Sequence, residues 1–551
     1  MTRISRITTI LLAGAALPLL AGCGANEIAS PGGGPVTVNN NGGTPTPTPG
    51  TGTPTPTVTA AAGCPTIANT AQLTDSGTIT GPTGSYRVCT LPAILSRSTT
   101  LTKISGLIYY MNGRVDVGCD SGFSAPSASA PFSSTTVGCT AANGFTLNGS
   151  GQLTADTNVT LTIEPGVLMV AAPGPSWLAV NRGNKLIANG AATSPIIFTS
   201  RDNVQGLNNA QSIGLGGGVV LMGRARTTDC GPGLGSTSAG TCERQTEGSV
   251  NPALFGGADD TYNAGSMKYV QIRYSGYAIS AGIELQALTT ESVGTGTTLD
   301  YIQSHNSSDD GVEFFGGQFN FSHYVATGAD DDSLDVDTGA RVNVQFAIIA
   351  QRDGQGDALM EIDSNGNEGD SPRTNLKVAN FLAIQRQAST NNETNDQASN
   401  LYRGNSDTTL INGIFITPNN ECIRLNGSGT TPATLTARGV LMQCNATKYI
   451  GTGSFSAAQV QAIFGSGSNG NNDAYTPSLT SVFINGTTET AASASAVNPA
   501  TIDAAFSAAN WIGAVKDAND NWYAGWTCNS STLGFDNVGV ADRACTSIPT
   551  S

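Results

Sequence analysis

Tyr301-Ile-Gln-Ser-His-Asn-Ser-Ser-Asp-Asp-Gly-Val-Glu-Phe-Phe-Gly-Gly317 is followed, six residues on, by Tyr324-Val-Ala-Thr-Gly-Ala-Asp-Asp-Asp-Ser-Leu-Asp-Val-Asp-Thr-Gly339. The two are one design. Asp309 aligns with Asp331, Asp310 with Asp332, Val312 with Leu334 and Glu313 with Asp335, all at an offset of 22 residues. A third copy, Met360-Glu-Ile-Asp363, aligns with Leu334-Asp-Val-Asp337 at an offset of 26. Short strands recurring at this period mark a solenoid, because each repeat buries its apolar face only against its neighbours. The spacing predicts an all-β chain wound as a right-handed parallel β-helix.

Alternation fixes which side faces in. In Leu334-Asp-Val-Asp337 the apolar residues point one way and the acids the other. Stacked coils therefore place Glu313, Asp335 and Glu361 in one ladder, and Asp337 and Asp363 in a second, about 4.7–4.9 Å apart in backbone spacing. Like charges this close repel unless a cation or proton intervenes.

Three readings of these acids stand. Asp favours turns, and Asp309, Asp310, Asp330, Asp331 and Asp332 precede strands. A second is cation binding: Asp330, Asp331, Asp332, Asp335 and Asp337 offer the hard oxygen ligands calcium takes, without an EF-hand pattern. The third is polysaccharide cleavage by Asp309, Asp310, Glu313, Asp331, Asp332 and Asp335, since paired carboxylates supply an acid and a base or nucleophile. Asp309-Asp310 before an apolar residue resembles the tandem Asp of pectin-hydrolysing β-helices. That family's Gly-His-Gly and Arg-Ile-Lys motifs are missing. His305 and His323, the two histidines, lie near the acids and read as structural rather than as a metal pair.

Composition narrows the partners. The 551 residues include 68 Gly, only 12% charged residues, and a net charge of −15. That balance suits an all-β chain with many turns and makes nucleic acid or an anionic membrane surface a poor partner, so no nucleic-acid partner is expected. Cations, or neutral polymers such as sugars, fit better; a polysaccharide or a protein of the outer membrane is the candidate partner.

The N-terminus reads as an address. Arg3 and Arg6 precede an apolar run that ends in Leu20-Ala-Gly-Cys23, so residues 1–22 form a signal peptide. The tetrapeptide resembles the bacterial lipobox. The resemblance implies cleavage before Cys23 and acylation there, palmitate-type chains included, which gives stable anchoring in membrane lipid. Gly24 follows in place of the Asp that retains such proteins at the inner membrane, which implies the outer membrane, with the body at the cell surface or secreted. Residues 23–63, with Thr44-Pro-Thr-Pro-Thr-Pro49, read as an extended linker.

Ten cysteines remain, an even number suited to an oxidising compartment. They fall into neighbour pairs: Cys64/Cys89, Cys119/Cys139, Cys230/Cys242, Cys422/Cys444 and Cys528/Cys545. The 422/444 spacing equals the coil length, which allows those two to sit on adjacent rungs. Residues 64–155 read as a disulfide-stapled β cap, 156–450 as the helix, and 451–551 as a small α+β cap. In the last, Ala457–Phe464 and Pro499–Ala508 read as helices, with Ser456 and Asn498 as N-caps. Trp511, Trp522, Tyr523 and Trp526 cluster there and read as packed core rather than a sugar platform.

Val159-Thr-Leu-Thr-Ile-Glu-Pro-Gly166 and Pro195-Ile-Ile-Phe-Thr-Ser200 are strands bounded by turn formers. With Trp511-Ile-Gly-Ala-Val-Lys-Asp517 and Asn521-Trp-Tyr-Ala-Gly-Trp526, they resemble a family of bacterial outer-surface lipoproteins with right-handed β-helix bodies. The resemblance implies fold and location rather than an activity. Together the readings give a lipid-anchored β-helix whose acidic face binds polysaccharide or a protein partner, with calcium as its candidate cofactor; the alternatives are a polysaccharide-degrading hydrolase or lyase, and a structural scaffold or adhesin.

Overall fold

A computed structural model describes residues 57–247, 251, 253–280, 283–364, 369–388, 398–427, 431–535 and 543–550. The expected signal peptide, Cys23 and most of the expected linker lie outside them. Among the described residues, two long sheets carry the chain, one of 16 strands and one of 11. Each turn of the chain adds a rung to both, and the rung-to-rung pairing is parallel. This is a parallel β-helix.

The smaller sheet, sheet B, has short rungs such as Leu288–Glu291, Val312–Phe315, Asp335–Asp337 and Met360–Ile362. The larger, sheet A, has long strands such as Thr298–His305 and Gln318–Thr327 that bend midway. The bend falls where one residue per coil takes a left-handed conformation: Tyr269, Tyr301, His323, Phe346, Asn380 and Asn412, with φ between 50° and 61°. Such φ values are uncommon outside glycine. Their recurrence at one place per coil shows the bend is built into the repeat.

The interior follows the alternation. Val312, Phe314, Leu334, Val336, Met360 and Ile362 are fully buried in the main core. The predicted register holds: Glu313 pairs with Asp335, and Asp335 with Glu361.

The ends differ from the sequence reading in instructive ways. Coiling begins inside the segment 64–155: Gly84–Thr90 and Leu107–Met111 are rungs of sheet A, and Ile94–Leu95 and Val115–Val117 are rungs of sheet B. Only the hairpin strand Thr74–Gly81 runs antiparallel to its rung there.

All five neighbour pairs are disulfides: Cys64–Cys89, Cys119–Cys139, Cys230–Cys242, Cys422–Cys444 and Cys528–Cys545. Cys139 lies in the long loop after rung Val115–Val117, half-buried, and its bond ties that loop to fully buried Cys119. Cys422 and Cys444 lie on adjacent coils, as the coil-length spacing allows: Cys444 ends the sheet A rung Leu441–Cys444, where its register partner is Thr417, and Cys422 stands just before the sheet B rung Ile423–Gly427, which pairs with Tyr449–Gly453 of the next coil. The bond therefore crosses a coil corner, with Cys422 fully buried and Cys444 half-buried at the core's margin.

At the other end, helix Ala457–Phe464 forms with a capping box at Ser456 and a left-handed Gly465 stop. The expected helix Pro499–Ala508 does not form. It reduces to a single turn, Pro499–Thr501, after the Asn498 cap. Its backbone goes instead to the coils, where Gln345 Nε2 donates to the Ser507 carbonyl and Asn380 and Asn412 donate to that of Ala509.

The C-terminal segment does more than close one end. It runs back along the flank of sheet A as a strap. Gln271 Nε2 donates to the Trp526 carbonyl, Gln303 Nε2 to that of Cys528, and Arg273 to those of Cys545 and Ser547. Beneath it Val325, Ile348, Leu382 and Ile414 pack against Phe483, Ile512 and Trp526. Trp526 and Tyr523 are fully buried in this core, whereas Trp511 and Trp522 are half-buried.

Candidate functional site

The outward face of sheet B is divided by the insertion between rungs Val219–Met222 and Leu288–Glu291. The insertion is stapled by Cys230–Cys242 and folds a short hairpin, Arg244–Gln245 with Leu254–Phe255. Its Phe255 covers Trp177, Val220, Met222 and Phe315. Two ion-paired arginines tie it and its flank to the first coils: Arg182 bridges Asp120 and Glu243 at 2.6 Å each, and Arg224 pairs with Asp156 at 2.6 Å. The acids begin where this apolar cover ends.

Adjacent coils bring the acids into three triads in which one carboxylate oxygen from each residue lies within 4.8 Å of the others. These are Asp309/Asp310/Asp331, Asp310/Glu313/Asp335 and Asp331/Asp332/Asp357. Exposure falls from the turn edge inward. Asp331 is exposed and Asp309 half-buried, whereas Asp310, Asp332, Glu313 and Asp337 are buried. The cluster is a seam with one open edge.

Backbone geometry explains part of it. Asp310 Oδ1 accepts the Asp332 amide at 2.9 Å, and Asp332 Oδ1 accepts the Ala358 amide at 2.6 Å. Each of these acids therefore ties its turn to the next coil, as turn chemistry predicts. That uses one oxygen of each. Asp335 leaves Oδ1 buried without a hydrogen-bond partner among the described residues.

Burial and mutual repulsion act together. Asp309, Asp310, Glu313, Asp332 and Asp335 are all raised well above the usual carboxylate range, by desolvation first and by neighbouring carboxylates second. Asp337 is pushed up to about 8 by burial and by Asp363. Glu361 is raised less, because Arg403 stands 2.7 Å from it and 3.2 Å from Asp363. Such a cluster holds protons or attracts cations.

The eight candidate acids are not equivalent. Asp330 is drawn off to Arg352, in an ion pair. Asp337 lies on the second ladder, beside Asp363. The other six meet in the triads. Sequence reasoning missed Asp357, which sits 26 residues beyond Asp331 and was legible from that offset, and Glu247, which comes from the insertion and was not. Glu247 is pushed up to about 7, by burial first, and its charge acts on Glu313. Glu291, one rung below, is fully buried and pushed up to about 8 by its burial; Thr246 of the insertion donates to its Oε2 at 2.8 Å.

The histidines are structural. His305 is buried, which pushes it down to about 3, and it shares a hydrogen bond with Thr327. His323 stacks between Tyr301 and Phe346 and bonds Asp300 at 2.8 Å.

The profile of one protein family, described as a pectate-lyase-like β-helix domain, matches residues 132–527, more than two thirds of the chain. The chain belongs to this family. The match spans the triads, the insertion and most of the strap. Comparison with curated proteins and with solved structures returns no match.

Proposed function

We propose that this pectate-lyase-like β-helix binds an acidic polysaccharide through a divalent cation held at the open edge of the seam. The observation that carries the reading is the set of carboxylate triads on adjacent coils, with Asp331 at the solvent edge. Asp309, Asp310 and Asp331 supply hard oxygen donors suited to calcium, which takes six to eight oxygens. Three from the protein leave positions for water and for carboxylates of the glycan. A net charge of −15 otherwise repels an anionic chain, so the cation is what reconciles the two surfaces.

Calcium at 100 times its dissociation constant raises stability by about 2.7 kcal/mol in this reading. Asp331→Asn, at an exposed position, removes that gain without unfolding the protein. Polyuronate binding is lost on chelation and in the same variant. A melting temperature indifferent to calcium in the wild-type protein defeats the proposal.

A second reading, cleavage of the glycan, is favoured by the family match and by the raised carboxyls of Asp310 and Glu313. A group that keeps its proton near neutral pH can donate it to a leaving oxygen. Release of reducing ends, abolished in Glu313→Gln with binding intact, separates catalysis from binding alone. The location belongs with this proposal too: cleavage before Cys23, acylation there, and display from the outer membrane. Radiolabelled palmitate incorporated by the wild-type chain and not by Cys23→Ala tests it.

A further inference from the structure

We propose that a second site, at the first rungs of sheet A, binds a neutral sugar unit independently of the acidic seam. A cleft of about 350 Å³ opens there between the rungs Thr99–Leu101 and Thr160–Ile163 and the segment that follows Cys64. That volume falls in the range of small-ligand sites. Its lining carries no ionisable side chain, in a protein whose other candidate surface is densely acidic.

The lining is made of hydroxyls over an apolar patch. Thr100 and Thr162 are in register on adjacent rungs and point out of the sheet. Thr160 stands two residues before Thr162 on the same face, and Thr66 faces them from the rim. None of these four hydroxyls makes a hydrogen bond among the described residues, whereas the framework around them is tied down. Thr99 Oγ1 accepts the Ala68 amide at 3.1 Å, Ser98 Oγ accepts the Thr160 amide at 3.0 Å, and Cys64–Cys89 anchors the rim. The exposed Ala68 methyl and the threonine methyls supply the apolar patch, and Ile67, 5% exposed, belongs to the core beneath them.

Hydroxyls both donate and accept, so a fixed array of them matches the hydroxyls of a pyranose, and an apolar patch suits its C–H face. A charged ligand has no partner here. The cleft is three rungs from the coil of Glu313, roughly 14 Å along the axis at sheet spacing, and on a different sheet. The two sites can therefore engage one long glycan or two separate ones.

The test is calorimetric titration of the mature full-length protein with neutral gluco-, manno- and xylo-hexaoses in the presence of EDTA. At least one is expected to bind. The double variant Thr100→Val, Thr162→Val, which keeps shape and removes two hydroxyls, is expected to weaken it tenfold or more. Thr66→Trp, on the exposed rim, plugs the cleft without altering a strand and is expected to do the same. Asp331→Asn leaves this binding unchanged, which separates it from the cation reading. Absence of binding by all three hexaoses, or binding that survives both cleft variants with melting temperature preserved, overturns the proposal.

Discussion

Two ladders run up the same coils and resolve the same geometric constraint in opposite ways. At the bend of sheet A, Tyr269, Tyr301, His323 and Phe346 stack at 4.4, 4.0 and 5.0 Å between ring centroids, and Trp511 of the strap caps them at 6.0 Å. The ladder continues as Asn380 and Asn412, which bond the strap backbone. On sheet B, Glu313, Asp335 and Glu361 stack at the same rung spacing. A solenoid brings like residues onto like. Rings gain from that and amides find carbonyls, so the first ladder is self-sufficient. Carboxylates repel, so the second is completed only by a proton, an arginine or a cation.

The greatest loss that this contrast implies is at Trp526. It is fully buried, packs edge-on against Tyr269 and Tyr301, and donates its indole N–H to Trp522. Trp526→Ala is expected to cost about 3–5 kcal/mol in chemical denaturation. Calcium binding, measured on the folded fraction, stays unchanged. Loss of cation binding with intact folding erases the separation between the ladders.

Asn412→Ala comes next. The buried side chain donates to the Val497 and Ala509 carbonyls at 2.6 and 3.1 Å and accepts the Val497 amide at 2.9 Å. Its φ of 51° adds strain for alanine. The expected loss is about 2–3 kcal/mol, because strap groups are left unpaired. The measurement is the denaturation midpoint, with protease sensitivity of the C-terminal segment as a local readout.

The acid ladder responds to pH through its buried carboxyls. The folded-state values of Asp310, Glu313, Asp332 and Asp335 are raised, so the folded protein holds protons that the unfolded chain releases. Their contribution is full below about pH 4 and is lost as pH rises through the folded values, which for Asp337 means toward about 8. Without divalent cation, stability is expected to fall from pH 5 to pH 8 by up to about 1.4 kcal/mol per pH unit for each such group. Asp337→Asn flattens the slope, and so does calcium. A melting temperature that rises with pH over that range in EDTA contradicts the assignment.

The sequence made one of these ladders plain and hid most of the other. A constant offset of 22 residues is a register, so Glu313 opposite Asp335 follows from counting. Between Cys422 and Cys444 the same offset sets the two on adjacent coils at a corner without pairing them, since the local register is Thr417 with Cys444 and Ile423 with Tyr449. The alternation of Leu334-Asp-Val-Asp337 settles which side is core. What counting does not reach is anything that arrives from off the repeat. Glu247 comes in on the insertion, and Trp511 and Trp526 on the strap, a stretch whose irregular backbone gives no period to read. The first coils escaped for a related reason. Rungs as short as Ile94–Leu95 and Val115–Val117 are too brief to show alternation. The left-handed bend was also invisible, because Tyr, His and Phe are not the residues that announce positive φ.

The mildest substitution asks whether the ring ladder depends on stacking or on charge. His323 lies 4.0 Å from Tyr301 and 5.0 Å from Phe346, and it also bonds Asp300 at 2.8 Å. His323→Phe keeps the ring and removes the bond. Asp300 retains Lys268 at 3.4 Å and stands partly in solvent, where such a pair is worth little. The expected change is therefore below about 1 kcal/mol, whereas His323→Ala, which opens a gap between two rings, costs more. Equal losses in both variants make the Asp300 bond the working part, and the ladder then stands on the same electrostatic footing as the acids across the coil.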